Sequence, residues 1–129
     1  MKKILFLLLL PSIAFPQWRP APEKKDNAVR VSNVTFRQAV RTLIDHSYII
    51  EMIDSNYQIV QVRLDQTLTM HIRCDTAGKM VVTSDMYIPG NMFAQHTPIL
   101  WWKAKINQGA WNVMMKYVNL FTDIEYAKL

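Results

Sequence analysis

The sequence predicts an α+β fold, an antiparallel sheet of four or five strands packed on one face by two main helices. Three observations carry this. Residues 48 to 64 and 68 to 86 alternate between apolar and polar side chains, a capped amphipathic helix opens at Phe36, and apolar residues recur at helical spacing from Ala110.

The first helix has the clearest signal. Thr35 followed three residues later by Gln38 forms a capping box, and Val34 can staple onto the first turns. Phe36, Ala39, Val40, Leu43 and Ile44 fall on one face, with Arg37, Arg41 and Asp45 at four-residue steps on the other. The helix should end near His46 or Ser47. Asn33-Val34-Thr35 also spells a glycosylation sequon, but the cap is the reading preferred here. Ahead of it, Ala28 to Val31 is expected as a short edge strand.

In the second hairpin, Leu68, Met70, Ile72 and Cys74 must share a face with Met80, Val82, Ser84 and Met86. Only an even-sum register does this, because a one-residue slip turns every side chain over. Pairing Asp75 with Lys79 satisfies it, leaves the loop Thr76-Ala77-Gly78, and sets His71 opposite Thr83 and Thr69 opposite Asp85. The same argument on the first hairpin pairs Ile53 with Tyr57 across Asp54-Ser55-Asn56. That register aligns Tyr48, Ile50 and Met52 with Val62, Val60 and Gln58. It also leaves Ile49, Ile53, Tyr57 and Ile59 as an apolar patch on the outer face, where polar residues are expected.

Beyond Pro89, residues 90–98 read as a loop and 99–106 are ambiguous between helix and strand. Thr97 as cap and Pro98 in the first position favour a short helix. From Ala110 the chain reads as helix, with Trp111, Met114, Met115, Val118 and Phe121 on one row and Val113, Tyr117, Leu120 and Ile124 on a second. The helices from Phe36 and Ala110 should cover the Leu68, Met70, Ile72 and Val82 face.

The N-terminus reads as a secretory signal over residues 1–16. Lys2 and Lys3 precede the apolar run Ile4 to Leu10, and Ser12-Ile13-Ala14 has the small-x-small cleavage pattern. The run is too short to span a bilayer, which takes about 20 apolar residues, so no transmembrane anchor is expected. Residues 17–27, with Pro20 and Pro22, read as an extended linker, and 28–129 as a single domain. Formal charge is +5. Removal of Lys2 and Lys3 lowers it, and the remaining cations are scattered among acids, which argues against nucleic acid as a partner. Cys74 is the single cysteine, so no internal disulfide can form and the domain must be held by burial.

Signals for chemistry are sparse. Glycine-rich phosphate loops, GxSxG, HExxH and CxxC are absent, and no catalytic residue, metal site or cofactor is assigned. His71 and Cys74, three apart on a strand, point to opposite faces and do not form a metal pair. His71, Arg73, Thr69, Thr83 and Asp85 share a polar face that could take a small anion, although a solvated sheet face is the simpler reading. His46 sits at a helix end, where a partly positive ring suits the exposed carbonyls. Met92, Phe93, His96, Trp101 and Trp102, near Tyr87, form an aromatic and methionine concentration of the kind found in binding surfaces. The alternative for the two tryptophans is that they fold back to cap the sheet.

From Phe36 to Ile88 the order is helix, then the hairpin beginning Tyr48-Ile-Ile-Glu-Met-Ile-Asp, then the hairpin Leu68-Thr-Met-His-Ile-Arg-Cys-Asp closing through Gly78. This arrangement, under half of the chain, resembles small exported bacterial domains of unknown function with a TATA-binding-protein-like fold. The resemblance implies a curved antiparallel sheet backed by helices and an envelope location, and it carries over no functional residue and no nucleic-acid binding.

Two expectations of function follow. The first is a secreted or periplasmic, non-catalytic binding or assembly module of the bacterial cell envelope. Its partner would be another envelope protein or a second copy of the chain, engaged through Ile49, Ile53, Tyr57, Ile59 and the loop residues Met92, Phe93, His96, Trp101 and Trp102. The second is a small-ligand-binding or enzymatic periplasmic domain using the 87–102 aromatic loop or the His71 and Arg73 face.

Overall fold

A computed structural model describes residues 17–87, 96–101 and 109–129. Its elements in chain order are β1 (Ala28–Ser32), α1 (Phe36–Asp45), β2 (Ile49–Asp54), β3 (Ile59–Arg63), β4 (Leu68–Cys74), β5 (Lys79–Tyr87), β6 (His96–Pro98), α2 (Gly109–Val118) and β7 (Ile124–Ala127). The strands form one antiparallel sheet in the order β2-β3-β4-β5-β1-β7, with β6 pairing the far end of β5. The α+β class and the antiparallel sheet stand as expected, and the sheet is wider than four or five strands.

Alternation in β4 and β5 builds the centre. Asp75 accepts the turn amides of Ala77 and Lys79, and Gly78 adopts φ +80°, the left-handed conformation that a three-residue loop demands. Ile72 therefore faces Val82, Cys74 faces Met80, His71 faces Thr83 and Thr69 faces Asp85, the register expected from parity. Val60, Val62, Met70, Ile72, Met80 and Val82 lie buried on one face. Both helices join that core, α1 through Ala39 and Leu43 and α2 through Trp111, Met114 and Tyr117. The two helices are linked where the Tyr117 hydroxyl donates to the Ala39 carbonyl at 3.0 Å.

The Thr35 cap is built as the sequence implies. Gln38 donates its amide to the Thr35 hydroxyl, and the Gln38 side chain accepts the Thr35 N–H at 2.9 Å. The helix ends at Asp45, and the His46 ring nitrogen lies 3.0 Å from the Thr42 carbonyl.

Several expectations are corrected. β1 is interior, flanked by β5 and β7, rather than an edge. The edge belongs to β7, a strand hidden because Phe121 and Ile124 continue the apolar spacing of α2; the helix instead stops at Val118, and both residues reach the core from beyond it. The helix expected from Thr97 and Pro98 does not start there: His96–Pro98 pairs with Tyr87 through Asp85 as a strand, so Thr97 is not a cap. Residues 102–106, the rest of that ambiguous stretch, lie outside the described residues.

Residues 17–27, read as a linker, run irregularly yet are fastened to the sheet. Arg19 and Tyr126 exchange two backbone hydrogen bonds, Lys25 donates to the Trp101 carbonyl, and Trp101 donates to the Asp26 carbonyl. Asp26 is buried, accepting the Glu23 amide and the Arg19 guanidinium.

Candidate functional site

The first hairpin determines where the apolar surface falls, and its register differs from the one expected. The Asp54 carboxylate accepts the amides of Asn56 and Tyr57 at 3.0 and 3.1 Å, and Gln58 takes φ 54°, so the loop spans Ser55 to Gln58. Asp54 then pairs with Ile59 and Ile53 with Val60, not with Tyr57. A bulge at Glu51 shifts the strand again, setting Ile50 opposite Val62.

This divides the expected patch. Ile53, directly across from Val60, shares the helix-covered side and meets α1 instead of joining Ile49 on the outer face. There Phe36, Val40, Ile44 and Ile53 line a shallow groove of about 340 Å3. Arg37 and Arg41 also line it. Met52, opposite Gln61, takes the outward position that Ile53 was expected to hold. Ile49 stands opposite Arg63, while Tyr57 is in the loop. Ile59 stays on the outer face, opposite Arg73.

The end of the molecule so formed is apolar and open. Eight large hydrophobic side chains are exposed among the described residues, and five of them, Ile44, Ile49, Met52, Ile53 and Tyr57, fall within one helix end and the β2 hairpin. Ile49 is 62 % exposed and Tyr57 73 %. They flank β2, an edge strand. The opposite edge, β7, has its Tyr126 backbone taken by Arg19. The single charge within Ile49–Ile53 is Glu51, and its carboxylate accepts the Arg63 Nε–H at 2.9 Å. An edge strand normally carries free charge or a cover against pairing with another chain. Here the bulge is the device visible on β2.

The outer face of the sheet carries a second concavity, of about 330 Å3, lined by Ile59, His71, Arg73, Val81, Thr83 and Leu129. His71 Nε2 lies 3.3 Å from the Asp85 carboxylate. Cys74, by contrast, is buried on the helix-covered face, so it and His71 are on opposite sides of β4. Burial and the neighbouring Asp75 charge push its thiol up to about 11, which disfavours the thiolate that nucleophilic chemistry requires.

Of the expected loop surface, Trp101 is half-buried and packs against the core. His96 sits in β6 opposite Tyr87, and its side chain lies outside the described residues, as do Met92, Phe93 and Trp102. The groove residues Arg37 and Arg41 were legible only as the polar face of a helix. The displacement of Ile53 depended on the Glu51 bulge, for which the single charge in an apolar run was the available signal.

Among the described residues no helix is long and apolar enough to cross a membrane. No protein-family model matches the chain, and searches of curated proteins and of solved structures find no significant match.

Proposed function

We propose that the protein is an exported, non-catalytic component of the bacterial cell envelope that acts as a binding or assembly module, engaging another protein chain through the β2 end. The observation that carries this reading is the gathering of Ile44, Ile49, Met52, Ile53 and Tyr57 around an edge strand whose two acids are both engaged, Glu51 with Arg63 and Asp54 with the loop amides of Asn56 and Tyr57. Exposed apolar side chains gathered at one end of a molecule mark interaction sites more often than scattered single residues do. An added strand would gain backbone hydrogen bonds along β2 while its side chains met Ile49 and Met52 on one side and Ile53 on the other. Export rests on the Lys2-Lys3, Ile4–Leu10 and Ser12-Ile13-Ala14 pattern.

Crosslinking and sedimentation in the native envelope fraction test the reading. The full chain should give a discrete complex, and Ile49→Lys combined with Tyr57→Ser should abolish it without changing the melting curve, because both side chains are largely in water. An isolated monomer in that fraction, or a complex indifferent to the double substitution, would overturn the proposal. Recovery of the chain in the cytosol with its first sixteen residues intact would overturn the export half.

A further inference from the structure

The outer-face groove differs from the rest of that face in how its charges are balanced. Among the described residues, four cations occupy that face of the sheet. Arg30 Nη2 lies 3.0 Å from Glu125, Arg63 Nε lies 2.9 Å from Glu51, and Lys79 Nζ donates to the Ser32 hydroxyl at 2.9 Å. Arg73, in the groove, has no ion pair among the described residues. Its cross-strand neighbours are Ile59 on one side and Val81 on the other, and the acid two residues along its own strand, Asp75, is engaged by the turn amides of Ala77 and Lys79. Beside this uncompensated guanidinium lies the row His71–Thr83. The His71 Nε2 lies 3.3 Å from the Asp85 carboxylate, and Thr83 adds a hydroxyl on the strand opposite. Leu129 completes an apolar wall with Ile59 and Val81, and its N–H donates to the Asn27 side chain at 2.8 Å, which fixes the tail over the sheet.

We infer that this groove is a binding site for a small monocarboxylate with an apolar body, its carboxylate on Arg73 beside His71 and Thr83 and its hydrocarbon against Ile59, Val81 and Leu129. The chemistry follows from the lining. A guanidinium fork matches the two oxygens of a carboxylate. A bare, fully hydrated anion would gain nothing from the three aliphatic walls, whereas an acyl chain would remove them from water. The volume lies at the small end of the range of roughly 300 to 1,000 Å3 typical of ligand sites, which limits the ligand to a short chain. The site does not depend on the β2 end, and it stands or falls independently of the assembly reading.

Hexanoate is the probe, with hexanol and inorganic phosphate as controls, followed by amide NMR on the full chain. Hexanoate should shift the amides of His71, Arg73, Val81 and Thr83 saturably below roughly 10 mM. Arg73→Gln should weaken that binding by about tenfold through loss of the charge-assisted pair, while Ile59→Asp should weaken it by repelling the acyl chain's headgroup and wetting its wall. Both positions have accessible side chains, and an unchanged thermal melt confirms that the variants fold. Absence of saturation, equal binding by Arg73→Gln, hexanol binding as tightly as hexanoate, or phosphate binding as tightly as hexanoate would each overturn the assignment.

Discussion

Tyr117 occupies the point at which the two helices and the sheet meet. Its ring is fully buried and packs edge-on to Tyr48 and Phe121 at centroid separations of 5.7 and 5.3 Å, and its hydroxyl reaches Ala39. Tyr117→Phe keeps the rings and loses the hydroxyl's bond to Ala39 with its longer contact to Met80 Sδ, so urea unfolding should show a loss of about 1 kcal/mol. Ser84 presents the opposite case. It is 3 % exposed on the core face opposite Met70, and its hydroxyl has no hydrogen-bond partner among the described residues. Ser84→Ala should therefore leave stability unchanged or raise it, by up to about 1 kcal/mol, since it removes a buried polar group that no described residue satisfies. A loss comparable to that of Tyr117→Phe would show that the hydroxyl is bonded.

At the scale of elements, the N-terminal stretch behaves as part of the sheet's edge rather than as a tether. Asp26 holds it, through the Glu23 amide and Arg19, while Arg19 closes the backbone of β7. Asp26→Ala should raise the exchange rates of the Arg19 and Lys25 amides by roughly tenfold or more, with the amides of α1 unaffected, as local opening would produce. The same contrast between local and distant partners explains what could be read from the sequence. The α1 cap and the β4–β5 register are decided within a few residues, by Thr35 with Gln38 and by Asp75 with Gly78, and both follow from pattern alone. The β2–β3 register hinges on the Asp54 carboxylate closing a longer loop and on a bulge at Glu51, neither of which alters the alternation visible in the chain. β7 is obscured because Phe121 and Ile124 carry a helical spacing that their long-range pairing with the core overrides. The candidate site divides in the same way. His71, Arg73 and Thr83 could be grouped on one face by parity, while the meeting of Ile53 with Phe36 and Val40 required the tertiary fold.

For the whole molecule, pH reports how the core is built. Burial raises the Cys74 thiol from 9.0 to about 11 and raises Tyr48, Tyr117 and Tyr126 above the usual phenol value, in each case by penalising the anion. A group raised in the folded state binds its proton more tightly there. Its stabilisation is complete below the unfolded pKa and is lost as pH rises toward the folded one. The stability curve should thus be flat from neutral pH to about 9, decline from 9 toward 11 as Cys74 ionises in the unfolded chain, and steepen above 10 when the tyrosines join. One proton sets a slope of at most about 1.4 kcal/mol per pH unit in the first part of that range. The acid side has the opposite sign. Asp65 lies below its usual 3.8, chiefly because its carboxylate accepts the Thr67 amide, with the Leu68 amide adding to the effect, so its contribution is present above 3.8 and disappears as pH falls. Urea midpoints measured across this range should show both limbs. Cys74→Ala should remove the decline between 9 and 10 while leaving the later tyrosine limb, and a variant curve parallel to the wild type there would mean that the thiol ionises as readily folded as unfolded.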